Sequence, residues 1–335
     1  MRNQLSTIEQ TDVQIARVRE AAESAKTYAG LARAKNTDRA YRSDWNDFEL
    51  WAKEHGLSFL PASPSTVSLY LAAKAITLKT SSLSRRLTAI RQAHQLAGLE
   101  LNTRHPAITE VWKGIRNSKG ISQQGKSPIV TDELRSMIDL LNTSTLQGAR
   151  DTALLLIGFA GAFRRSELVS IDVSDISIGR EGVTIRVARS KTDQEGAGRD
   201  VGIPYGSNPS TCPVRALQDW LNASSTLEGP LFRAINKHGQ IQTSRLSDKA
   251  VALIVKRTAL ALAKSKGLKW DVAEAYAAQF SGHSLRAGLA TSAAMAGVAE
   301  HTIMRQTGHK KAETLRKYIR MGTLFQDNAA SKVGL

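Results

Sequence analysis

Apolar side chains recur every three or four residues through the first third of the chain, which is the spacing of amphipathic helices. The first such segment begins at Thr37 and is closed by Gly56, and glycine is a common helix stop. The third segment is closed in the same way by Gly98. The pattern predicts four helices, over residues 37–55, 65–75, 80–97 and the segment that follows Pro106.

A polar, glycine-containing stretch over residues 118–129 follows this helical part and is typical of a linker. Beyond it the helical period resumes, and then Val183, Ile185 and Val187 alternate strictly with polar residues. Alternation predicts a strand, and the string DVGIPY after a polar turn predicts its antiparallel partner. Further helices are predicted over residues 213–223, 244–264, 284–296 and 314–319.

These patterns predict a mainly α (α+β) fold, with an all-helical first domain and a mostly helical second domain that holds a small antiparallel sheet. We expect two domains because 335 residues exceed one typical domain. The predicted divisions are a flexible arm at 1–30, a helical domain at 31–117, a linker at 118–129 and a second domain with its C-terminal tail at 130–335.

Positive charge dominates the composition, with 46 lysine and arginine residues against 30 aspartate and glutamate residues. The formal net charge of +16 favours an anionic polymer such as nucleic acid as the partner, although a merely solubilising surface is the alternative. The single cysteine, Cys212, excludes an intramolecular disulfide and a cysteine-based zinc cluster. No segment resembles a signal peptide or a membrane span, so we expect a cytoplasmic, nucleoid-associated protein.

Several stretches of the second domain carry residues suited to cutting a phosphodiester bond. Transesterification needs a nucleophile, cations for the non-bridging oxygens, a proton donor for the leaving oxygen and a proton acceptor. Arg164 begins the string RRSE directly after a buried helix, and Glu167 is a nearby carboxylate partner. His283 and Arg286 lie in GHSLRAG, where a Ser284 N-cap and free helix amides could hold one phosphate.

Three further residues complete this set. Lys191 lies on the predicted hairpin turn, where a flexible ammonium can reach a leaving oxygen. His309 follows Gly308 in a loop, and Tyr318 lies in the basic string LRKYIR. An ordinary phenol has a pKa of ~10, so nearby cations would be needed to raise its phenolate fraction. Each residue alone also fits a plain structural role, as a solvated cation, an ion pair or a buried aromatic.

We expect neither a metal nor a nucleotide cofactor. His283 and His309 have no nearby cysteine and no convincing acidic third ligand, which argues against a metal pair. The chain also has no Walker-type glycine loop, which argues against nucleotide hydrolysis.

In order and spacing, these residues resemble the active-site signature of the tyrosine recombinases, also called the phage integrase family. The resemblance runs from about Thr37 to the C-terminus, and it implies that the first domain is the SAM-like core-binding domain of that family. The RxxE spacing to Glu167 selects Arg164 over Arg165 as the family's first arginine. The residues that carry the resemblance are Arg164, Glu167, Lys191, His283, Arg286, His309 and Tyr318.

The resemblance implies that the two arginines clamp the scissile phosphate, that the tyrosine attacks it and that the lysine is the general acid. His283 would assist proton transfer from the tyrosine, and His309, a histidine in most of the family, would support the phosphate. Because a covalent phosphotyrosine conserves the ester, a 5′ hydroxyl can restore the DNA without ATP or metal.

The implied partners are duplex DNA with a specific recombination site and further copies of the chain. In this family two domains clamp the duplex, and four protomers exchange strands between two sites through a four-way junction. The tail after Tyr318 would dock on a neighbouring protomer. The sequence leaves open whether the outcome is integration, excision, resolution or inversion.

Arg85 lies opposite the apolar stripe of its predicted helix, with Arg86 and Arg91 flanking it, so these three could enter a DNA groove. Lys79, Lys113 and Arg116 would contact phosphates. Two other functions stay open, a type IB topoisomerase that relaxes supercoils without pairing sites and a DNA-binding architectural protein that cuts nothing. The predicted DNA contacts are Lys79, Arg85, Arg86, Arg91, Lys113 and Arg116.

Overall fold

A computed structural model describes residues 19–25, 27–28, 35–120, 125–188, 198–323 and 333 of the chain. The chain divides into two compact units, Met1–Gln124 and Gly125–Leu335. The predicted turn with Lys191 lies outside the described residues, as do most of the predicted arm, part of the predicted linker and most of the tail. None of the described helices is long and apolar enough to cross a membrane.

Helices build the first unit, as the apolar spacing predicts. Prolines occupy the first turn of the second and fourth helices, where a fixed φ and a missing N–H suit a helix start. Phe48, Tyr70 and Leu83 are fully buried between the helices. The buried His94 accepts a hydrogen bond at Nε2 from the Ala62 amide at 2.8 Å, which ties the loop before α2 to the core. The helices are α1 (Lys35–Glu54), α2 (Pro64–Ala75), α3 (Thr80–Leu96) and α4 (Pro106–Lys119).

The second unit is mostly helical and carries a small antiparallel sheet, so the predicted fold class is confirmed. Its elements in chain order are α5 (Thr131–Asp139), α6 (Leu146–Ala160), α7 (Arg165–Ser170), β1 (Ile176–Ile178), β2 (Gly182–Val187), β3 (Arg199–Pro204), α8 (Pro213–Ser224), β4 (Arg233–Ile235), β5 (Ile241–Arg245), α9 (Asp248–Ser265), α10 (Trp270–Ala278), α11 (His283–Met295), α12 (Glu300–Thr307) and α13 (Ala312–Gly322).

The predicted hairpin is present as β2 and β3, with β1 paired on the other side of β2. Val183 pairs with Ile203, and Ile185 pairs with Val201. All four side chains are buried, so the alternation in the sequence marks the face of the sheet that packs on the core.

The predicted helix over residues 244–264 begins too early. The strand β5 extends to Arg245, and α9 starts at Asp248 after Ser247, whose hydroxyl accepts a hydrogen bond from the Ala250 amide at 3.2 Å. A serine cap supplies an acceptor for an amide that has no partner within the helix, and this fixes the true helix start. The short strands β4 and β5 and the helices α10 and α12 were not predicted from the sequence.

The buried helix α6 is the centre of the second unit. It packs against α8 on one side and α11 on another. Within α11, Gly288 lies so close to the Ile129 carbonyl that a β-carbon there would overlap it, at 1.8 Å. The Ile129 amide also donates to the Ser284 carbonyl at 3.0 Å. These contacts fix α11, whose first turn faces the candidate site.

Candidate active site

The turn that leaves α6 holds the first part of the site. Ala162 adopts a left-handed backbone conformation with φ +49°, which is uncommon for a residue with a β-carbon. Its carbonyl accepts a hydrogen bond from Nη1 of Arg286 at 2.7 Å. Arg286 has only 1% of its surface exposed, so this turn and the first turn of α11 bury a guanidinium between them.

Glu167 is the carboxylate of the site and is itself only 1% exposed. Its Oε2 accepts a hydrogen bond from the Arg164 amide at 3.0 Å, and its Oε1 accepts one from Arg164 Nη1. The first bond caps α7 at its N-terminus, which gives Arg164 a fixed place as the N-cap residue. One carboxylate therefore orients both the backbone and the side chain of Arg164.

Arg199 is a third arginine at the same carboxylate, and sequence reasoning missed it. It begins β3, its Nη2 lies 3.7 Å from Oε2 of Glu167, and its Nη1 donates to the Gln306 carbonyl at 3.1 Å. Nothing in the string GAGRD separates it from a solvated strand arginine. Only the packing of β3 against the end of α12 brings it into the site.

The arginine cluster, Arg164, Arg199 and Arg286, carries more positive charge than Glu167 can neutralise. Loss of hydration, and then the charge of the neighbouring Arg164, lower the pKa of Arg286 to about 10. The pKa of Arg199 is lowered for the same two reasons, although Glu167 opposes the shift. The Nη2 atoms of Arg199 and Arg286 are buried without a hydrogen-bond partner among the described residues. Such a cluster is suited to bind an anion with several oxygens, such as a phosphate.

Tyr318 lies at the edge of this cluster, on α13. Its hydroxyl is 2.8 Å from Nε2 of His283, the first residue of α11. Loss of hydration lowers the pKa of His283 below its usual value, and the charges of Arg286, Arg164 and Arg165 act in the same direction. His283 is therefore neutral at pH 7, and its Nε2 can accept the phenolic proton.

The surroundings of Tyr318 do not raise its phenolate fraction. Loss of hydration raises the pKa of the Tyr318 phenol, and the charge of Arg286 offsets only part of that rise. Of the cations beside it in the sequence, Arg316 forms an ion pair with Glu300 at 3.2 Å and is not a cause of the shift. The phenol therefore stays protonated until a base removes its proton.

His309 follows the glycine that ends α12, Gly308, which has a left-handed φ of +65°. Its Nδ1 is 2.7 Å from the hydroxyl of Thr307, and that hydroxyl also lies 2.7 Å from the Ile303 carbonyl. The carbonyl can only accept, so the hydroxyl donates to it and accepts from His309. We infer that neutral His309 carries its proton on Nδ1 and presents a bare Nε2.

The free energy of unfolding is expected to fall as the pH drops below 6.5. Loss of hydration and then the charge of Arg286 lower the pKa of His309 from 6.5 to about 4. The unfolded chain therefore takes up this proton first, so the contribution to stability is fully present above pH 6.5 and is lost as the pH falls through about 4. His283 acts in the same direction.

Urea unfolding at a series of pH values measures this effect, and His309→Gln is the test variant. The variant should lose less stability than the unmodified protein on acidification, because it has no imidazole at this position to protonate. The same pH dependence in both proteins would contradict the buried, neutral state of His309.

The structure separates Arg164 from Arg165, as the RxxE spacing predicts. Arg165 extends towards Asp248, with 3.9 Å between Nη2 and the carboxylate, whereas Arg164 is held by Glu167.

The predicted Ser284 N-cap is wrong. The helix α11 begins one residue earlier, after Gly282, and the Ser284 hydroxyl instead accepts from the Ser281 amide at 3.0 Å.

The structure brings five of the six predicted catalytic residues together with Glu167. Lys191 lies outside the described residues, so its role stays a prediction. Within the described ranges, no group of three or more His, Cys, Asp or Glu residues is arranged to hold a metal ion. The residues that the structure collects at the site are Arg164, Glu167, His283, Arg286, His309 and Tyr318.

The predicted DNA contacts of the first unit differ in how much surface they offer. Arg85 is half exposed and pairs with the buried Asp44 at 2.6 Å. Arg86 has 15% of its side chain exposed and bonds to Asp47 and the Tyr70 hydroxyl, so little of it faces solvent. The exposed cations are Lys79, Arg91, Lys113 and Arg116.

Comparison with known proteins decides the family. Residues 129–323 match the model of the phage integrase family, which is more than half of the chain. The chain belongs to the phage integrase family. Residues 28–100 match the N-terminal SAM-like domain of phage integrases, in agreement with the helices of the first unit.

Named relatives of this integrase-family protein are recombinases. The integrase/recombinase XerD homolog of Selenomonas ruminantium is 42% identical over 313 residues, 92% of this chain and 88% of the relative. The recombinase Cre of Escherichia phage P1 is 28% identical over 286 residues, 81% of this chain and 79% of the relative. The integrase of transposon Tn1549, solved in complex with transposon right-end DNA, has a similar fold. Its TM-score is 0.62 at 13% identity, with 88% of this chain and 92% of that chain covered.

Proposed function

We propose that this protein is a site-specific recombinase that cuts duplex DNA with Tyr318 and holds the end as a covalent 3′-phosphotyrosine. The observation that carries the proposal is the 2.8 Å contact between the Tyr318 hydroxyl and Nε2 of His283, at the edge of the arginine cluster. A nucleophile, its base and a phosphate-binding cation group are the parts that phosphodiester transesterification needs.

In the proposed cleavage step, the Tyr318 oxygen attacks the scissile phosphorus while His283 Nε2 accepts the phenolic proton. A new P–O bond to the tyrosine forms as the bond to the 5′ oxygen breaks, and Lys191 gives that oxygen a proton. Arg164 and Arg286 hold the non-bridging oxygens. His309 packs beside Tyr318, with 6.3 Å between the ring centroids, and supports the phosphate once its Nε2 takes up a proton.

Rejoining is the reverse step with a different strand. A 5′ hydroxyl gives its proton to Lys191 and attacks the phosphotyrosine. The bond between phosphorus and the Tyr318 oxygen breaks as the phosphodiester forms again, and the tyrosine recovers its proton from His283. Because the ester bond is conserved throughout, the proposed cycle consumes no ATP. Arg164 and Arg286 supply the positive charge that the transition state requires, so the proposed cycle uses no metal.

The proposed DNA partner is duplex DNA with a specific site, bound by both units. The solved Tn1549 integrase, which has a similar fold, is bound to DNA, and the net charge of +16 suits a polyanion. In the first unit, the exposed cations that can contact DNA are Lys79, Arg91, Lys113 and Arg116, and Arg85 is half exposed. Arg86 instead bonds to Asp47 within the unit. We propose that four protomers pair two such sites through a four-way junction.

Trapping the covalent intermediate tests the proposal. The protein is mixed with a pool of randomised duplexes that carry nicks, so that the short strand released by cleavage diffuses away and rejoining fails. We expect a protein–DNA adduct that survives denaturant, and we expect Tyr318→Phe to form none while it still binds DNA. Sequencing of the trapped strands would give the recognition site.

Two results would count against the proposal. An adduct of equal yield in Tyr318→Phe would exclude this tyrosine as the nucleophile. Tight DNA binding by the unmodified protein without any adduct would favour an architectural protein that cuts nothing. Relaxation of plasmids without a selected site, by single protomers, would favour a topoisomerase instead.

A further inference from the structure

Arg199 is held in place from three sides. It starts β3 directly after Gly198, which has a left-handed φ of +69°. Its Nη1 donates to the Gln306 carbonyl in the last turn of α12, and its Nη2 lies 3.7 Å from Oε2 of Glu167 at the start of α7. Its Nε lies 3.1 Å from the point where a β-carbon on Gly308 would stand. One guanidinium therefore connects β3, α7 and α12.

Both partners of Arg199 are themselves neighbours of proposed catalytic residues. Glu167 orients Arg164 through two hydrogen bonds, so a shift of this carboxylate would shift Arg164. The Gln306 carbonyl comes just before the turn that carries His309. The Gln306 side chain anchors the same turn, because its Nε2 donates to the Ala160 carbonyl at 2.8 Å.

The environment of Arg199 is costly for a positive charge. Its side chain is only 23% exposed, loss of hydration lowers its pKa, and the charge of Arg164 opposes it as well. Its buried Nη2 has no hydrogen bond from the part of the chain that the structure describes. Burial of a charge is unfavourable unless its hydrogen bonds are complete. If the only role of this side chain were to fill space, an apolar residue would do so at a lower cost in free energy than an arginine.

We propose that Arg199 is a positioning residue for strand cleavage, which holds the Glu167–Arg164 pair and the His309 turn in one arrangement. This inference rests on the proposed function of the site. Arg199 acts through Glu167 and Gln306 and need not touch the DNA. Misplacement of a reacting group by about 1 Å can cost ~10²-fold in rate, and the loss of both anchors is a change of that kind.

Arg199→Met removes both anchors and keeps a long apolar side chain, while Arg199→Lys keeps the charge but cannot span both partners. Arg180→Met is the matched control, because Arg180 is an exposed arginine on the loop between β1 and β2 of the same sheet. Single-turnover adduct formation and DNA affinity are measured on a nicked duplex of a selected site. We expect Arg199→Met to cleave ~10²-fold more slowly with affinity within about twofold of the unmodified protein.

In the same experiment Arg199→Lys should recover part of the rate, and Arg180→Met should cleave at the unmodified rate. Cleavage by Arg199→Met within about twofold of the unmodified protein would overturn the proposal. So would a loss of DNA affinity and folding stability that accounts for the whole loss of rate, because that result shows a merely structural residue.

A second readout needs no DNA cleavage. In the ¹⁵N-labelled protein, the imidazole resonances of His309, assigned with His309→Gln, report which nitrogen carries the proton. We expect Nδ1 protonation in the unmodified protein and in Arg180→Met, and a mixture of tautomers in Arg199→Met. An unchanged His309 spectrum in Arg199→Met would overturn the positioning role, whereas the absence of an adduct in the unmodified protein would overturn only the proposed function.

Discussion

Arg286→Met is expected to stabilise the protein and to abolish most of its cleavage activity at the same time. The Arg286 guanidinium is 1% exposed, and loss of hydration together with Arg164 lowers its pKa to about 10, so the folded state disfavours its charge. Replacing a whole buried ion pair with apolar side chains is often neutral or stabilising, by about 1–4 kcal/mol, and here Arg164 and Arg199 remain to balance Glu167 when Arg286 is removed. The lost hydrogen bond to the Ala162 carbonyl offsets about 1 kcal/mol of this gain.

The cleavage rate should move in the opposite direction. An arginine that neutralises a phosphoryl transition state can be worth ~10³ to 10⁵ in rate, and we expect a loss in that range for Arg286→Met. Urea unfolding and single-turnover adduct formation measure the two effects. Arg286→Lys is the control, since it keeps the buried charge without the planar fork and should gain no stability. A variant that is less stable than the unmodified protein, or that cleaves within tenfold of its rate, would contradict the account of the arginine cluster.

Glu167→Ala is expected to be among the most destabilising substitutions in the second unit. Glu167 is 1% exposed, caps α7, bonds to Arg164 and attracts Arg199, so its removal leaves buried cations without their carboxylate. Removal of one partner from a buried ion pair costs about 3–5 kcal/mol. Urea unfolding measures this cost, and Glu167→Gln should lose less because the amide still caps the helix.

A double-mutant cycle separates charge balance from packing at this position. Addition of Arg286→Met to Glu167→Gln should recover stability, because the second change removes a cation that the first leaves uncompensated. We expect a coupling free energy above about 0.5 kcal/mol, in the range found for residues of one network. Additive effects of the two substitutions would show that Glu167 stabilises α7 alone and does not balance the arginine cluster.

The predictable part of the fold is the part that local patterns determine. The four helices of the first unit and the β2–β3 hairpin repeat a simple period over many residues, and the structure confirms them. The β4–β5 hairpin has no such period, because its strands of three and five residues show no alternation between buried and exposed side chains. Tertiary packing on the core, and not a local pattern, produces these strands.

A site residue could be predicted where its type and its neighbours in the sequence suit the chemistry. It could not be predicted where only tertiary contacts bring the residue into the site. Two short strings made their residues predictable, and the structure brings the members of each string together. RRSE contains Arg164 and Glu167, and GHSLRAG contains His283 and Arg286. Arg199 has no such string, and its role depends on Gln306, far along the chain. The surroundings of Tyr318 could not be read from the cations next to it in the sequence for a related reason, since adjacent residues on a helix do not face the same side.

The central claim is that the oxygen of Tyr318 becomes bonded to the 3′ phosphate of a cut strand. The most direct measurement is digestion of the trapped adduct with protease and nuclease, followed by tandem mass spectrometry of the modified peptide. The account predicts a 3′-linked nucleotide on Tyr318 and a free 5′ hydroxyl on the released strand. A nucleotide on any other residue, or a linkage through a 5′ phosphate, would contradict it.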